Sequence, residues 1–249
     1  MKFENTQVWG FEHAIRGMRN PKNSWARSDS GYNDDGTFRI GEADLNLMQT
    51  LIKSGSEHRK FMRQIFVSVD ITAPMYWWSE FDTYKVGTVA NSTSKMHKLA
   101  STPITFSCFE IDDFTDVQIE TEESSIDAAT GWKTIIEMLE SLRVKFNETK
   151  EKKYWKELIR LLPESWLQKR TVTMNYENLL GMCSSGQRRH HKLNEWSGAD
   201  RSELTNFIGW ARELPYAGEL LFQRTRSEEL AEENARLRKE LEAARQERR

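Results

Sequence analysis

Cysteine is nearly absent from the 249-residue chain. Cys108 and Cys183 stand 75 positions apart, which excludes a disulfide framework and any cysteine-based zinc module. Proline is scarce, at five, and no Gly/Ser-rich linker divides residues 1–223, so a single domain is expected there. No apolar run approaches the length of a membrane-spanning helix, and the opening MKFENTQVWG lacks the basic-then-apolar order of a secretory leader. A surplus of one charge is missing as well: 36 Lys+Arg against 38 Asp+Glu give a net charge of -2 and a pI near 6.3. That balance argues against a nucleic-acid coat or a polybasic membrane binder. A soluble, cytoplasmic protein with neither membrane nor nucleic acid among its partners is expected.

Motifs that announce chemistry are missing too. There is no phosphate loop of P-loop or dinucleotide spacing, no HExxH and no GxSxG elbow. The five histidines are scattered except for the His190-His191 pair, so no metal site is expected.

What the chain does carry is aromatic weight: nine Trp, six Tyr and twelve Phe. Such rings build cores and subunit interfaces, or offer faces on which a base or flavin stacks. From Arg224 to Arg249, eight basic and seven acidic residues surround Leu230, Asn234, Leu237, Leu241 and Ala244 at alternating spacings of four and three. This is a short heptad seam with one polar core position, readable as a coiled coil, a lone charged helix or a fusion.

The rest reads as α+β: one domain of helices packed on a mainly antiparallel sheet. A helix is predicted over 44–54, with Asp44 as its cap, Leu45, Met48 and Ile52 on one face and Gly55 past its end. Alternation over 61–71 predicts a strand, and Pro74 then opens a helix bearing Trp77, Phe81 and Tyr84, ended by Gly87. Residues 100–125 are irregular and acidic. Helices are predicted over 126–148, over 151–162 up to Pro163, over 172–184, and over 202–213 up to Pro215.

Three polar clusters are candidates for chemistry. The first is Glu57-His58-Arg59-Lys60 with Arg63. The second is Tyr84-Lys85, the hydroxyl-rich run Thr88 to Ser94, and Lys95-Met96-His97-Lys98. The third runs from Gln168 through Asn175 and returns at Gln187-Arg188-Arg189-His190-His191-Lys192. Hydroxyls flanked by lysine suit a phosphate, the cation supplying charge and the hydroxyls directed donors. The same composition also makes an ordinary solvated turn. Arg188 to Lys192 either splay into water or gather around an anion.

The order of these pieces resembles the flavin-dependent thymidylate synthases, in particular the divergent, phage-associated branch of thymidylate-synthase-complementing proteins, over roughly 40–100 and 165–221. Members of that family carry Arg-His-Arg, two residues, Ser, one residue, Asn, two residues, Ser, one residue, Arg-Tyr. The corresponding stretch here runs from Thr83-Tyr84-Lys85 through Thr88 and Asn91-Ser92-Thr93-Ser94 to Lys95-Met96-His97. Asn91 and Ser94 keep their mutual spacing after one inserted residue. Thr83 and Lys85 replace the first two arginines, and Met96 replaces the third. Downstream, Asn175 resembles the Asn that opens a ligand-binding helix, Arg188 or Arg189 the pyrimidine-binding Arg, and Glu195-Trp196 the acid-aromatic pair after it.

The resemblance implies an α+β homotetramer binding FAD and a uridine nucleotide, with NADPH and methylenetetrahydrofolate as co-substrates and no protein nucleophile. It assigns Tyr84, Lys85, Thr88, Asn91 and Asn175 to the cofactor, Ser92, Ser94, Lys95 and His97 to the substrate, and Arg188 and Arg189 to catalysis. Arginine grips phosphate bidentately and lysine does not, so the changed motif also fits a relative that has kept the scaffold without the reaction. A surface for single-stranded nucleic acid would use the same rings and Lys/Arg clusters, against the net acidity of the chain.

Overall fold

The computed structural model describes residues 1–84, 86–111, 117–120, 125–183, 191–199 and 203–222. The heptad segment 224–249, Lys85, Arg188 and Arg189 lie outside the described residues. In chain order the elements are β1 (Lys2–Trp9), α1 (Phe11–Arg19), β2 (Gly31–Tyr32), β3 (Phe38–Arg39), α2 (Glu42–Lys53), β4 (Phe66–Pro74), α3 (Met75–Phe81), β5 (Val89–Ser92), α4 (Lys95–Lys98), β6 (Gln118–Glu120) and β7 (Ser125–Asp127). They continue with α5 (Ala128–Thr149), α6 (Lys152–Leu161), β8 (Leu167–Asn175), α7 (Tyr176–Met182), α8 (Asn194–Ser197), α9 (Phe207–Arg212) and α10 (Ala217–Leu220). Among the described residues, no helix is long and apolar enough to cross a membrane.

The chain forms two compact units. The first is built from Met1–Gln7, Val67–Met174 and Lys192–Phe207; the second from Val8–Phe66 and the described parts of Asn175–His191 and Ile208–Arg249. Each draws on separate stretches of the sequence, which is why no linker marks a boundary.

The first unit holds a four-stranded sheet in the order β1-β4-β8-β5. Strand β5 pairs antiparallel with β8, Asn91 opposite Thr171 and Ser92 opposite Arg170. The Ser68–Thr173 and Asp70–Thr171 hydrogen bonds run in opposite senses along β4 and β8, so that pair is antiparallel too, as expected. The alternation predicted for the strand holds from Val67: Val67, Val69, Ile71 and Ala73 are buried, while Ser68, Asp70 and Thr72 face the other way. Asp70 takes hydrogen bonds from Thr171 and Asn5, and these, with Lys169, hold its carboxyl below the usual range.

On the buried face, α3 presents Trp77, Trp78 and Phe81. Trp77 packs against Trp78, Phe81, Trp196 and Phe207 with ring centroids 4.9–5.8 Å apart. All five rings are essentially inaccessible, so these aromatics serve the core. A second cluster joins Leu99, Ile104 and Phe109 to Ile136 and Leu139 of α5 and Leu158 of α6. The two helices follow the predicted spans within two residues, α5 capped by Asp127 and α6 followed by Pro163.

The second unit gathers α1, α2, a 3-10 segment at Arg59–Gln64, α7 and α10. Gly10 lets the chain turn tightly into α1: its φ is +98°, and a Cβ there would lie 2.0 Å from the Gln64 carbonyl oxygen. Phe11 meets Tyr176 and Tyr216 edge-on, both at 5.6 Å. The Tyr176 hydroxyl donates to the Pro215 carbonyl at 2.6 Å, and burial pushes its pKa up.

Several local expectations need correction. The helix predicted over 202–213 spans only Phe207–Arg212 among the described residues, and α3 ends at Phe81, leaving Tyr84 in a 3-10 turn. Residues 61–64 are 3-10 helix rather than strand; Phe61 and Met62 are buried all the same, because the tight turn still points them inward. Residues 172–175 finish β8, and the helix begins only at Tyr176: the β-branched run Thr171-Val172-Thr173 favours a strand. Asp44 is not the cap of α2. The helix starts two residues earlier, and the Asp29 carboxylate accepts from the Ala43 and Asp44 N–H groups. Asp44 is instead fully buried and accepts from Arg19 Nε at 2.6 Å and from the Ser28 and Ser30 hydroxyls at 2.7 Å.

Burial works to raise the Asp44 pKa, but the two serines and Arg19 outweigh it and hold the carboxyl below its ordinary value. Asp44→Ala leaves Arg19 buried without its partner, so it should cost about 3–5 kcal/mol in denaturant unfolding at neutral pH. Because the folded pKa is the lower one, the contribution is complete above about pH 4 and disappears as pH falls through the lowered value. The gap between wild type and variant should therefore narrow in acid.

Candidate functional site

Strand β8 fixes the hydroxyl-rich segment that follows β5. The Thr93 N–H and hydroxyl both donate to the Lys169 carbonyl, at 2.9 and 3.2 Å. The buried Gln168 side chain donates through Nε2 to the Thr93 carbonyl at 2.8 Å and accepts from Arg170 Nε at 3.0 Å. Arg170 lies over the Trp78 ring, 4.2 Å from its centroid, and pairs with Asp82 at 2.9 Å. Each amide and guanidinium in this chain of contacts is held from both sides, so segment 92–95 is anchored to sheet and core together. Ser94 ends the segment by accepting from the His97 N–H at 3.3 Å, which opens α4.

The anchored segment forms one wall of a pocket of about 460 Å³. Ser92, Ser94 and Lys95 share this pocket with Arg160 of α6 and with Glu164 and Met75. It therefore combines two cations, a row of hydroxyls, one carboxylate and an apolar side, a mixture that suits a phosphorylated ligand with a hydrogen-bond donor elsewhere on it. Arg160 is half exposed and pairs with Glu157 at 3.2 Å.

The second unit has a larger cleft, about 1040 Å³. Its walls include Met18, Leu47, Leu51 and Phe61, with Lys22, His58, Lys60 and Arg63 among the polar groups and Glu57 beside them. Apolar walls with several cations match a ring system carrying phosphates. The residues present fit a flavin dinucleotide by donor type and by volume.

The sequence-predicted residues divide accordingly. Ser92, Ser94 and Lys95 line one wall of the smaller of these two pockets. His97 and Asn91 are exposed and line neither pocket. The Thr88 hydroxyl donates to the Tyr84 carbonyl at 2.9 Å, and the Tyr84 ring packs on Trp196 at 5.6 Å. Asn175 caps α7 in a reciprocal pair with Asn178. Glu195 accepts from the Tyr76 hydroxyl, while Trp196 is core. Of the first polar cluster, Glu57, His58, Lys60 and Arg63 reach the cleft, whereas Arg59 turns away to pair with Glu177 at 3.1 Å.

Arg160 and Glu164 carried no motif. Arg160 reads as the polar face of an amphipathic helix, and only tertiary folding brings it to Ser94. Among the described residues, no three His, Cys, Asp or Glu side chains gather as metal ligands.

No protein-family model matches the sequence, and no curated protein resembles it closely enough in sequence to count as a relative. Similarity appears at the level of structure. The flavin-dependent thymidylate synthase ThyX from Helicobacter pylori, complexed with FAD and dUMP, superposes with a TM-score of 0.58 and 17% identity over 90% of this chain and 98% of that one. A second structure of the same enzyme with FAD and dUMP gives 0.55 and 18% over the same shares. The UMP/dUMP methylase PolB from Streptomyces cacaoi, bound to 5-Br dUMP, gives 0.55 and 11% over 88% and 92%. The chain has the fold of the flavin-dependent thymidylate synthases.

Gln168→Ala strands the Thr93 carbonyl and Arg170 Nε. Unfolding free energy should fall by about 1–3 kcal/mol, and hydrogen exchange at the Thr93 amide should accelerate relative to that at Val172. Equal exchange in both proteins would show that the amide does not hold the segment.

Proposed function

We propose that the chain binds a uridine nucleotide and a flavin and transfers a one-carbon unit and a hydride to the pyrimidine. The observation that supports this most is the likeness of nearly the whole chain to proteins solved with FAD and dUMP or with 5-Br dUMP. It is joined by a pocket with the right donors in the right mixture. In this reading the phosphate lies against Ser92, Ser94 and Lys95, and Arg160 supplies the guanidinium fork that Thr83, Lys85 and Met96 no longer offer. Glu164 faces the same space and can accept from a pyrimidine N–H or a ribose hydroxyl.

The cleft of the second unit takes the flavin, with Lys22, Lys60 and Arg63 against its phosphates and Phe61 against a ring. Tyr84, Lys85, Thr88, Asn91 and Asn175 remain proposed cofactor residues, meeting the flavin of another copy in the homotetramer, since Tyr84, Thr88, Asn91 and Asn175 do not line this cleft. His97 is a proposed substrate residue, and Arg188 and Arg189 are proposed to polarise the pyrimidine. A bound flavin would supply hydride transfer, with NADPH as reductant and methylenetetrahydrofolate as carbon donor. The protein's own part is to hold the nucleotide's anion and to keep water from the pyrimidine face. A homotetrameric assembly in the cytoplasm completes the proposal; the exposed Val86, Val89 and Met96 around the outer strand β5 support self-association.

The loss of the three arginines favours a second reading, nucleotide binding without turnover. The two separate on one assay with the purified protein. The first expects a bound flavin absorption band and dUMP-dependent oxidation of NADPH. The second expects saturable dUMP binding with no such oxidation. Absence of both dUMP and flavin binding would refute each. Arg160→Ala should weaken dUMP binding about tenfold or more, the worth of a charge-assisted pair, with no change in unfolding midpoint.

A further inference from the structure

We propose that the first unit carries a second anion site, distinct from the nucleotide pocket, that binds a phosphate monoester. It is a pocket of about 300 Å³ on the other side of the anchored segment, sharing only Thr93, Ser94 and Lys95 with the pocket of Arg160 and Glu164. Three lysines from two distant parts of the chain converge on it: Lys2 at the start of β1, and Lys95 and Lys98 on α4.

The charge is uncompensated from within. No carboxylate lines the pocket, and among the described residues none of the three lysines is ion-paired with an acid. The neighbouring Lys169, by contrast, pairs with both Glu4 and Asp70. Three ammonium groups around one small space repel one another, and an anion in their midst turns that repulsion into attraction. The remaining walls supply hydroxyls, Thr72 and Ser107 among them, and the ring of Trp166. Hydroxyls direct hydrogen bonds to phosphate oxygens; the indole offers an apolar surface to what the phosphate is attached to. The volume sits at the small end for ligand sites, which suits a single sugar or nucleoside monophosphate and excludes a dinucleotide. This inference does not depend on the chain being an enzyme of uridine nucleotides.

Cys108 gives the site its own reporter. It is one of only two cysteines, it is partly exposed on the pocket wall, and Cys183 is buried. The full-length protein is treated with neutral iodoacetamide, and modification of Cys108 is followed by peptide mass spectrometry with increasing ribose 5-phosphate or inorganic phosphate. Sodium chloride at matched ionic strength serves as the control. The expected result is saturable slowing of alkylation by about threefold or more, greater with the ester than with inorganic phosphate and absent with chloride. Lys2→Ala/Lys98→Ala, two exposed positions outside the nucleotide pocket, should weaken the protective ligand about tenfold or more. Arg160→Ala should leave protection intact.

Protection equal to that of chloride, or undiminished in the double lysine variant, overturns the proposal. Failure of the unmodified protein to bind dUMP, with protection of Cys108 retained, would count against the nucleotide reading alone.

Discussion

The buried amide of Gln168 and the guanidinium of Arg170 set the geometry on which the rest depends. Between them they tie the Thr93 carbonyl, the Asp82 carboxylate and the Trp78 ring to strand β8. A short hydroxyl-rich segment would ordinarily follow solvent; here the Thr93 backbone and hydroxyl are bonded to a central strand, and Ser92, Ser94 and Lys95 line the pocket beside it. The aromatic core beneath gives that anchorage its stiffness, because the rings of α3, α8 and α9 interlock with little accessible surface. A wall built this way can serve two pockets with one lysine between them.

The division of labour between the units follows from charge placement. In the first unit, lysines and one arginine gather around hydroxyls; in the second, cations rim an apolar cleft. A chain with a net charge of -2 concentrates positive potential where anions would be held, and balances it with acids elsewhere. The buried Arg19–Asp44 pair belongs to structure: it fastens residues 28–30 onto α2, the helix that contributes Leu47 and Leu51 to the cleft.

Much of this was legible in the sequence where one local signal dominated. Pro163 stops the second helix of the helical hairpin, and Val67 to Ile71 alternate as a sheet strand must. Legibility failed where two signals competed. Asp44 has the composition of a cap and the burial of an ion-pair partner, and only Arg19 decides between them. Residues 171–182 hold a β-branched run and an apolar helix in one breath, so the boundary at Asn175 is invisible to periodicity. Arg160 was beyond reach for another reason: its place in the pocket beside Ser94 is set by a long-range approach that no spacing encodes.

The most direct measurement is a crystal structure of the full chain with 5-Br dUMP, locating bromine by its anomalous signal. Whether or not the smaller pocket of Lys2 and Lys98 is also filled, a bromine peak is expected in the pocket between Ser94 and Arg160, with the phosphate on Lys95 and Arg160. Bromine bound elsewhere, with that pocket empty at saturating nucleotide, would contradict it.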